Sequence, residues 1–182
     1  MNRRDPHLEE QLWRRTRGAV EGELAALPAA ERSRLQAHLA ALGALQERLH
    51  QLVLDAGGPA LCRDCDGACC GCGRNHLTLG NLAVLLLRDL EPPAPDWNAP
   101  CPWLGPAGCR LAADQRPFNC ISFVCEAVEA QLGAAGCSTF YALERELRAA
   151  YAQLAGRYAG AGLQGLLLRA ERLGVRGFFT RP

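Results

Sequence analysis

The chain has 182 residues, 49% of them hydrophobic, which suits one compact domain or a core with helical extensions and needs no disulfide or metal staple to fold. Its net charge of +1 excludes a global field for nucleic acid or an anionic membrane. The longest apolar run, Leu82 to Leu87, is far too short to cross a bilayer.

The first ten residues, Met1 to Glu10, are charged and lack the apolar stretch of a secretory signal, so a cytoplasmic location is expected. That compartment keeps thiols reduced, and the 10 cysteines then point to metal or redox chemistry instead of a disulfide framework. Arg3, Arg4, Arg14, Arg15 and Arg17 make the start of the chain locally basic, with Asp5, Glu9 and Glu10 interleaved, as on a solvated helix face.

A helix is predicted over about 6–26, weakened by Gly18 and Gly22. A second follows Pro28, a first-turn proline, with an apolar stripe of Leu35, Leu39, Leu42, Leu45, Leu49, Leu52 and Val53. Gly57-Gly58-Pro59 is its stop signal. The two helices, joined near Pro28, suggest an antiparallel hairpin. Further on, Thr78 can cap a helix running to about Leu90, where Glu91-Pro-Pro-Ala-Pro95 stops it. From there to about Cys120 the chain is rich in Pro and Gly, and a metal is the obvious device for holding so long a loop. Ser138 or Thr139 can cap a helix with the stripe Phe140, Leu143, Leu147, Tyr151, Leu154 and Tyr158. Beyond Gly160 and Gly162, the residues Leu163, Leu166, Leu167, Ala170 and Leu173 make a shorter last helix. The fold expected is mostly α, a helical bundle flanking an irregular, metal-clamped, cysteine-rich central segment. Its parts are an N-terminal hairpin over 1–60, the cysteine core over 61–137 and C-terminal helices over 138–182, within one globular unit.

All 10 cysteines fall between Cys62 and Cys137, so the thiols form one local assembly and are not scattered core fillers. They read Cys62-x2-Cys65-x3-Cys69-Cys70-x-Cys72, Cys101-x7-Cys109, Cys120-x4-Cys125 and a lone Cys137. A two-residue gap lets Cys62 and Cys65 reach one ion within a tight turn, and Asp66-Gly67-Ala68 supplies the residues that return Cys69 and Cys70 to the same region. The side chains of an adjacent Cys-Cys pair diverge, which suits two metals or a bridged polynuclear cluster. Later cysteines would close the shell from distant sequence, coupling binding to folding. Soft thiolates suit zinc and iron–sulfur clusters alike, and no spacing reproduces a common ferredoxin run in full. Arg63, Arg74, Arg110 and Arg116 would offset part of the thiolate charge.

Cys62-Arg-Asp-Cys-Asp-Gly-Ala-Cys-Cys70, Leu77-Thr-Leu79 before a helix, Cys101-Pro-Trp-Leu104, Gly108-Cys109, Arg116-Pro117 and Cys120 through Cys125 together resemble the YkgJ-like cysteine-cluster family. That family is described as zinc- or iron-chelating and mostly bacterial. The resemblance covers about 62–125 and implies eight ligands: Cys62, Cys65, Cys69, Cys70, Cys101, Cys109, Cys120 and Cys125. Cys72 and Cys137 fall outside the pattern. The chain departs from it at Ala112, near Asn81 and at Ile121, where the family often carries an aromatic, an acidic and an arginine residue.

Around the cluster, His76 has the chemistry to ligate a metal or bond a cluster sulfur, against the plainer role of a solvated or capping histidine. His7, His38 and His50 are expected on the surface, away from the cluster. Trp97 and Trp103 flank Cys101 and are expected to shield it from solvent, or to wall a pocket. No phosphate loop or Ser-His-Asp set is present, and all 20 basic residues are arginines. Eight thiolates with no firm histidine or carboxylate ligand favour closed zinc sites, because catalytic zinc keeps an open position. The expected function is therefore a structural or binding module with a protein partner on its helical faces. The alternatives are an iron–sulfur or iron-dependent redox enzyme and a metal-handling protein.

Overall fold

The computed structural model describes residues 5–65 and 68–182. Arg3 and Arg4 of the basic run, and Asp66 and Gly67 of the turn, lie outside them. The described chain is mostly helical, with one short antiparallel strand pair.

Helix α1 (Pro6–Ala26) starts where Asp5 accepts the His7 amide at 2.8 Å and Pro6 takes the first helical position. It buries Trp13, Val20 and Leu24 on one face. After Leu27-Pro28, α2 (Ala29–Asp55) buries Leu35, Leu39, Leu42 and Leu49 from the anticipated stripe. The main partner of each is not the other: α1 lies on α4 and α7, whereas α2 lies along α6 in the most extensive helix contact.

Gly57-Gly58-Pro59 both ends α2 and starts α3 (Gly58–Asp64), with Gly57 in the left-handed region at φ 69°. A 3₁₀ turn follows over Cys70–Asn75. Helix α4 (Leu79–Leu87) opens with a capping box: Asn81 Oδ1 accepts from the Thr78 amide at 2.9 Å, and Thr78 Oγ1 accepts from the Asn81 amide at 3.5 Å. Its residues from Leu79 to Val84 are nearly all buried, as befits a helix apolar on every side.

In the long segment after α4, protein groups do the holding. Arg74 donates to the carbonyls of Ala99 at 2.7 Å and Trp97 at 2.8 Å, and Arg110 to those of Ala94 at 2.8 Å and Pro102 at 2.9 Å. Trp97 Nε1 donates to Glu10 at 2.8 Å, and Arg17 pairs with Glu91 at 2.5 Å. Strands β1 (Leu104–Gly105) and β2 (Gly108–Cys109) form a tight hairpin in which Leu104 faces Cys109. The one-turn helix α5 (Phe118–Ile121) leads into α6 (Glu126–Ala155).

Helix α6 is two helical pieces that meet at Gly133, and the second, which carries the expected caps, begins only a few residues before them. Cys125 is the N-cap of α6, and Ser138 and Thr139 lie inside it, Thr139 Oγ1 donating back to the Ala135 carbonyl at 3.0 Å. Gly133, at φ 63° and ψ −179°, breaks the helical path within it, a conformation that needs glycine. Beyond it Phe140, Leu143, Leu147, Tyr151 and Leu154 are buried as the stripe anticipates. Helix α7 (Leu166–Leu173) docks where the Leu166 amide donates to the Leu77 carbonyl at 2.7 Å. One buried apolar cluster runs from Trp13 to Phe178 and takes in residues of all three sequence zones. No described helix is long and apolar enough to cross a membrane.

Candidate metal centre

The cysteines are carried on separate devices. Helix α3 carries Cys62 and ends at Cys65, whose thiol points back to the Cys62 carbonyl at 3.6 Å. Cys69 and Cys70 lead into the 3₁₀ turn. The Trp97–Trp103 segment delivers Cys101, the hairpin delivers Cys109, α5 delivers Cys120, and the start of α6 delivers Cys125. Elements carrying distant cysteines pack directly: α3 on α6, and the 3₁₀ turn on α5.

Cys101 is the most enclosed, only 7% exposed and part of the apolar core. Burial raises its thiol, opposed by the backbone amides of Trp103 and Leu104, which hydrogen-bond its sulfur and favour the thiolate. Gly73 lies beside it. A Cβ on Gly73 would stand 3.0 Å from the Cys101 sulfur, a tight contact that glycine avoids, and at an ordinary 3.8 Å from that of Cys120. His76 Nδ1 is 3.3 Å from the Cys120 sulfur. Cys120 is exposed as a residue, but its sulfur lies between His76 and the buried Gly73, and burial pushes the thiol up to about 12.

The thiols influence one another in two groups. After burial, the Cys62 thiol is raised by Cys69, Cys65 and Cys125, and that of Cys120 by Cys101, Cys109 and Cys70. Cys70 stands at the junction, raised by burial and then by Cys69, Cys62 and Cys109. Cys65, Cys69 and Cys125 thus lie around Cys62, Cys101 and Cys109 around Cys120, and Cys70 stands between the two groups. Arg116 acts on both, lowering Cys62 and Cys120, and its Nε is anchored on the Leu111 carbonyl at 3.2 Å. Among the described residues, no three His, Cys, Asp or Glu side chains are drawn together tightly enough to form a ready ion-binding group.

Seven of the expected ligand positions lie in one group or the other and Cys70 lies between them, and the other candidates resolve differently. Cys137 is apart, its thiol directed at the Glu129 carbonyl at 3.5 Å, and Cys72 is exposed. Arg74, expected to offset thiolate charge, forms a buried ion pair with Glu9 instead. His38 and His50 are half-buried: His38 Nε2 bonds the Ala150 carbonyl at 2.9 Å, and His50 lies 3.5 Å from Arg116. Trp97 and Trp103 join Trp13 in edge-on contacts at 6.4 and 5.3 Å, and the gap among them is about 10 Å³, so they shield and form no ligand-sized pocket. The role of Gly73 is not announced by sequence beyond its position among the cysteines.

No protein-family model, curated protein or solved structure matches this chain.

Proposed function

We propose that this chain is a metal-binding protein whose thiolates hold two ions, Cys62, Cys65, Cys69 and Cys125 around one and Cys70, Cys101, Cys109 and Cys120 around the other. The observation that supports this reading is that thiols from separated segments gather in two neighbourhoods, around Cys62 and around Cys120, with Cys70 between them and assigned here to the second to complete its four. The donor set fits the ion: soft sulfur ligands in fours are the chemistry of closed zinc sites. Cysteine has one side-chain torsion before its sulfur, so closing each shell asks for rotations within the fold. The amides of Trp103 and Leu104 on Cys101, and Arg116 acting on both sets, stabilise thiolate charge.

Zinc is the ion favoured, with iron or an iron–sulfur cluster as the alternative, since thiolates serve both. Bound zinc would cross-link the turn, the hairpin and α5, so the protein acts as a structural or binding module in the reducing cytoplasm. Its protein partner would meet the helical faces, where Leu8 and Leu173 are exposed. The motif order that resembles the YkgJ-like family supports the same chemistry.

Elemental analysis and an absorption spectrum of anaerobically purified protein test the reading. About two zinc ions per chain in a colourless protein are expected, from four sulfurs per ion. A brown protein containing iron and sulfide replaces zinc with a cluster, and a folded protein that takes up no metal overturns metal binding altogether.

A further inference from the structure

The two sets of thiols sit in different surroundings. In the first, Cys65 and Cys69 are exposed, and Cys62 and Cys125 are half-buried. None of the four belongs to the apolar core. Their backbone is the end of a seven-residue helix, the turn after it and the first cap of α6. The neighbouring Arg63, Asp64 and Ala68 are exposed as well.

In the second set Cys120 is exposed as a residue and Cys70 and Cys109 are half-buried, but the set is anchored to the core. Cys101 belongs to the core, and Cys109 packs against it. The segment around Cys101 is held by Trp103 against Trp13 and by Arg74, itself paired with buried Glu9. The Cys120 sulfur lies behind Gly73 and His76. Removing an ion requires an incoming ligand to reach it and protein sulfurs to swing away. For the first set this needs side-chain rotation at exposed or half-buried positions. For the second it needs local opening of packed structure, which draws on the stability of the fold.

Resting on the two-ion reading above, we infer that the sites are unequal in exchange: the ion held by Cys62, Cys65, Cys69 and Cys125 is labile, and the ion held by Cys70, Cys101, Cys109 and Cys120 is inert. One fold would thus carry a permanent ion for shape and an exchangeable ion for delivery or sensing.

The test uses the full chain loaded anaerobically with zinc and mixed with excess chromogenic chelator. Release is expected in two equal phases whose rates differ about tenfold or more. Alkylation between the phases, mapped by mass spectrometry, should label Cys62, Cys65, Cys69 and Cys125, besides Cys72 and Cys137, and spare the other four. A Cys65→Ser chain should lose the fast phase and keep its slow phase and helical circular dichroism. Two ions leaving in one phase, or alkylation reaching all eight ligands at once, overturns the inequality and leaves the two-ion reading standing. Loss of the slow phase or of the helices in Cys65→Ser also overturns it. A chain that binds no zinc removes the two-ion reading and this inference with it.

Discussion

Glu31 illustrates how much of this protein is decided by single arginine pairings. Arg157 donates to its carboxylate from Nε at 2.7 Å and Nη2 at 2.5 Å, and the Tyr158 hydroxyl adds a third bond at 2.8 Å. These donors, Arg157 first, hold the Glu31 carboxyl at about 2, against an ordinary 4.5. A value depressed in the folded chain means that the stabilisation is complete above 4.5 and drains away as pH falls toward 2. Glu31→Gln should therefore lower the urea midpoint at neutral pH. The gap to the native chain should narrow on acidification below 4.5 and close near 2; a gap of constant size would contradict this origin. Neither Glu31 nor Arg157 announces its partner in sequence, because 126 residues separate them. Arg74 makes the same point: its place among the cysteines suggests a thiolate counter-charge, but the fold turns it onto Glu9. That the thiols belong to one local assembly was legible from their crowding between Cys62 and Cys137, whereas an arginine's use depends on which carbonyl or carboxylate the fold brings near.

Among the elements, α4 shows a local signal doing long-range work. Thr78 and Asn81 make the box that starts the helix, and Asn81 Nδ2 also donates to the carbonyls of Gln115 at 3.1 Å and Arg116 at 3.0 Å. Gln46 Nε2 joins it on the Arg116 carbonyl at 2.5 Å. The backbone leading to Cys120 is thereby fixed by two buried amides. Asn81→Asp keeps an acceptor for the cap but loses the donor and faces two carbonyls with a carboxylate. It should cost about 1–3 kcal/mol in chemical denaturation, the range for an unmet buried polar group. An Asn81→Asp chain as stable as the native one would mean that the cap alone matters. Helices α1, α2 and α4 were readable because their stripes and caps agree. Two starts were hidden. Gly57-Gly58-Pro59 reads as a stop, although Pro59 is equally at home in the first turn of α3. Gly133 and Gly136 disguise the early part of α6, whose start is marked by Glu126 and Glu129 in its first turn.

At the scale of the molecule, what matters is how far the helices depend on the thiols. Sequence periodicity identifies buried faces but not which faces meet, so the preference of α1 for α4 and α7, and of α2 for α6, came only with the fold. That arrangement has a thermodynamic consequence. Most of the large, fully buried side chains, among them Leu35, Leu49, Phe140, Leu147 and Leu166, come from α2, α6 and α7, with Leu79 and Leu82 from α4 and Leu111 from the segment between Cys101 and Cys125, and Cys101 is the one proposed ligand within the core cluster. Burial of this kind supplies most of the favourable free energy of folding, at roughly 25 cal/mol per Å² of apolar surface. A minimal zinc domain lacks such a core and unfolds when its ion is removed. Here chelation under reducing conditions should leave most of the helical circular dichroism intact. Amide exchange should accelerate over 62–76 and 101–125, while α2 and the part of α6 beyond Gly133 stay protected. Leu147→Ala, at the α2–α6 face, should instead cost about 2–5 kcal/mol and lower the cooperative transition of the whole chain, with or without metal. Collapse of the far-ultraviolet signal on chelation alone would show that the thiolate shells, and not the helix packing, hold this protein together.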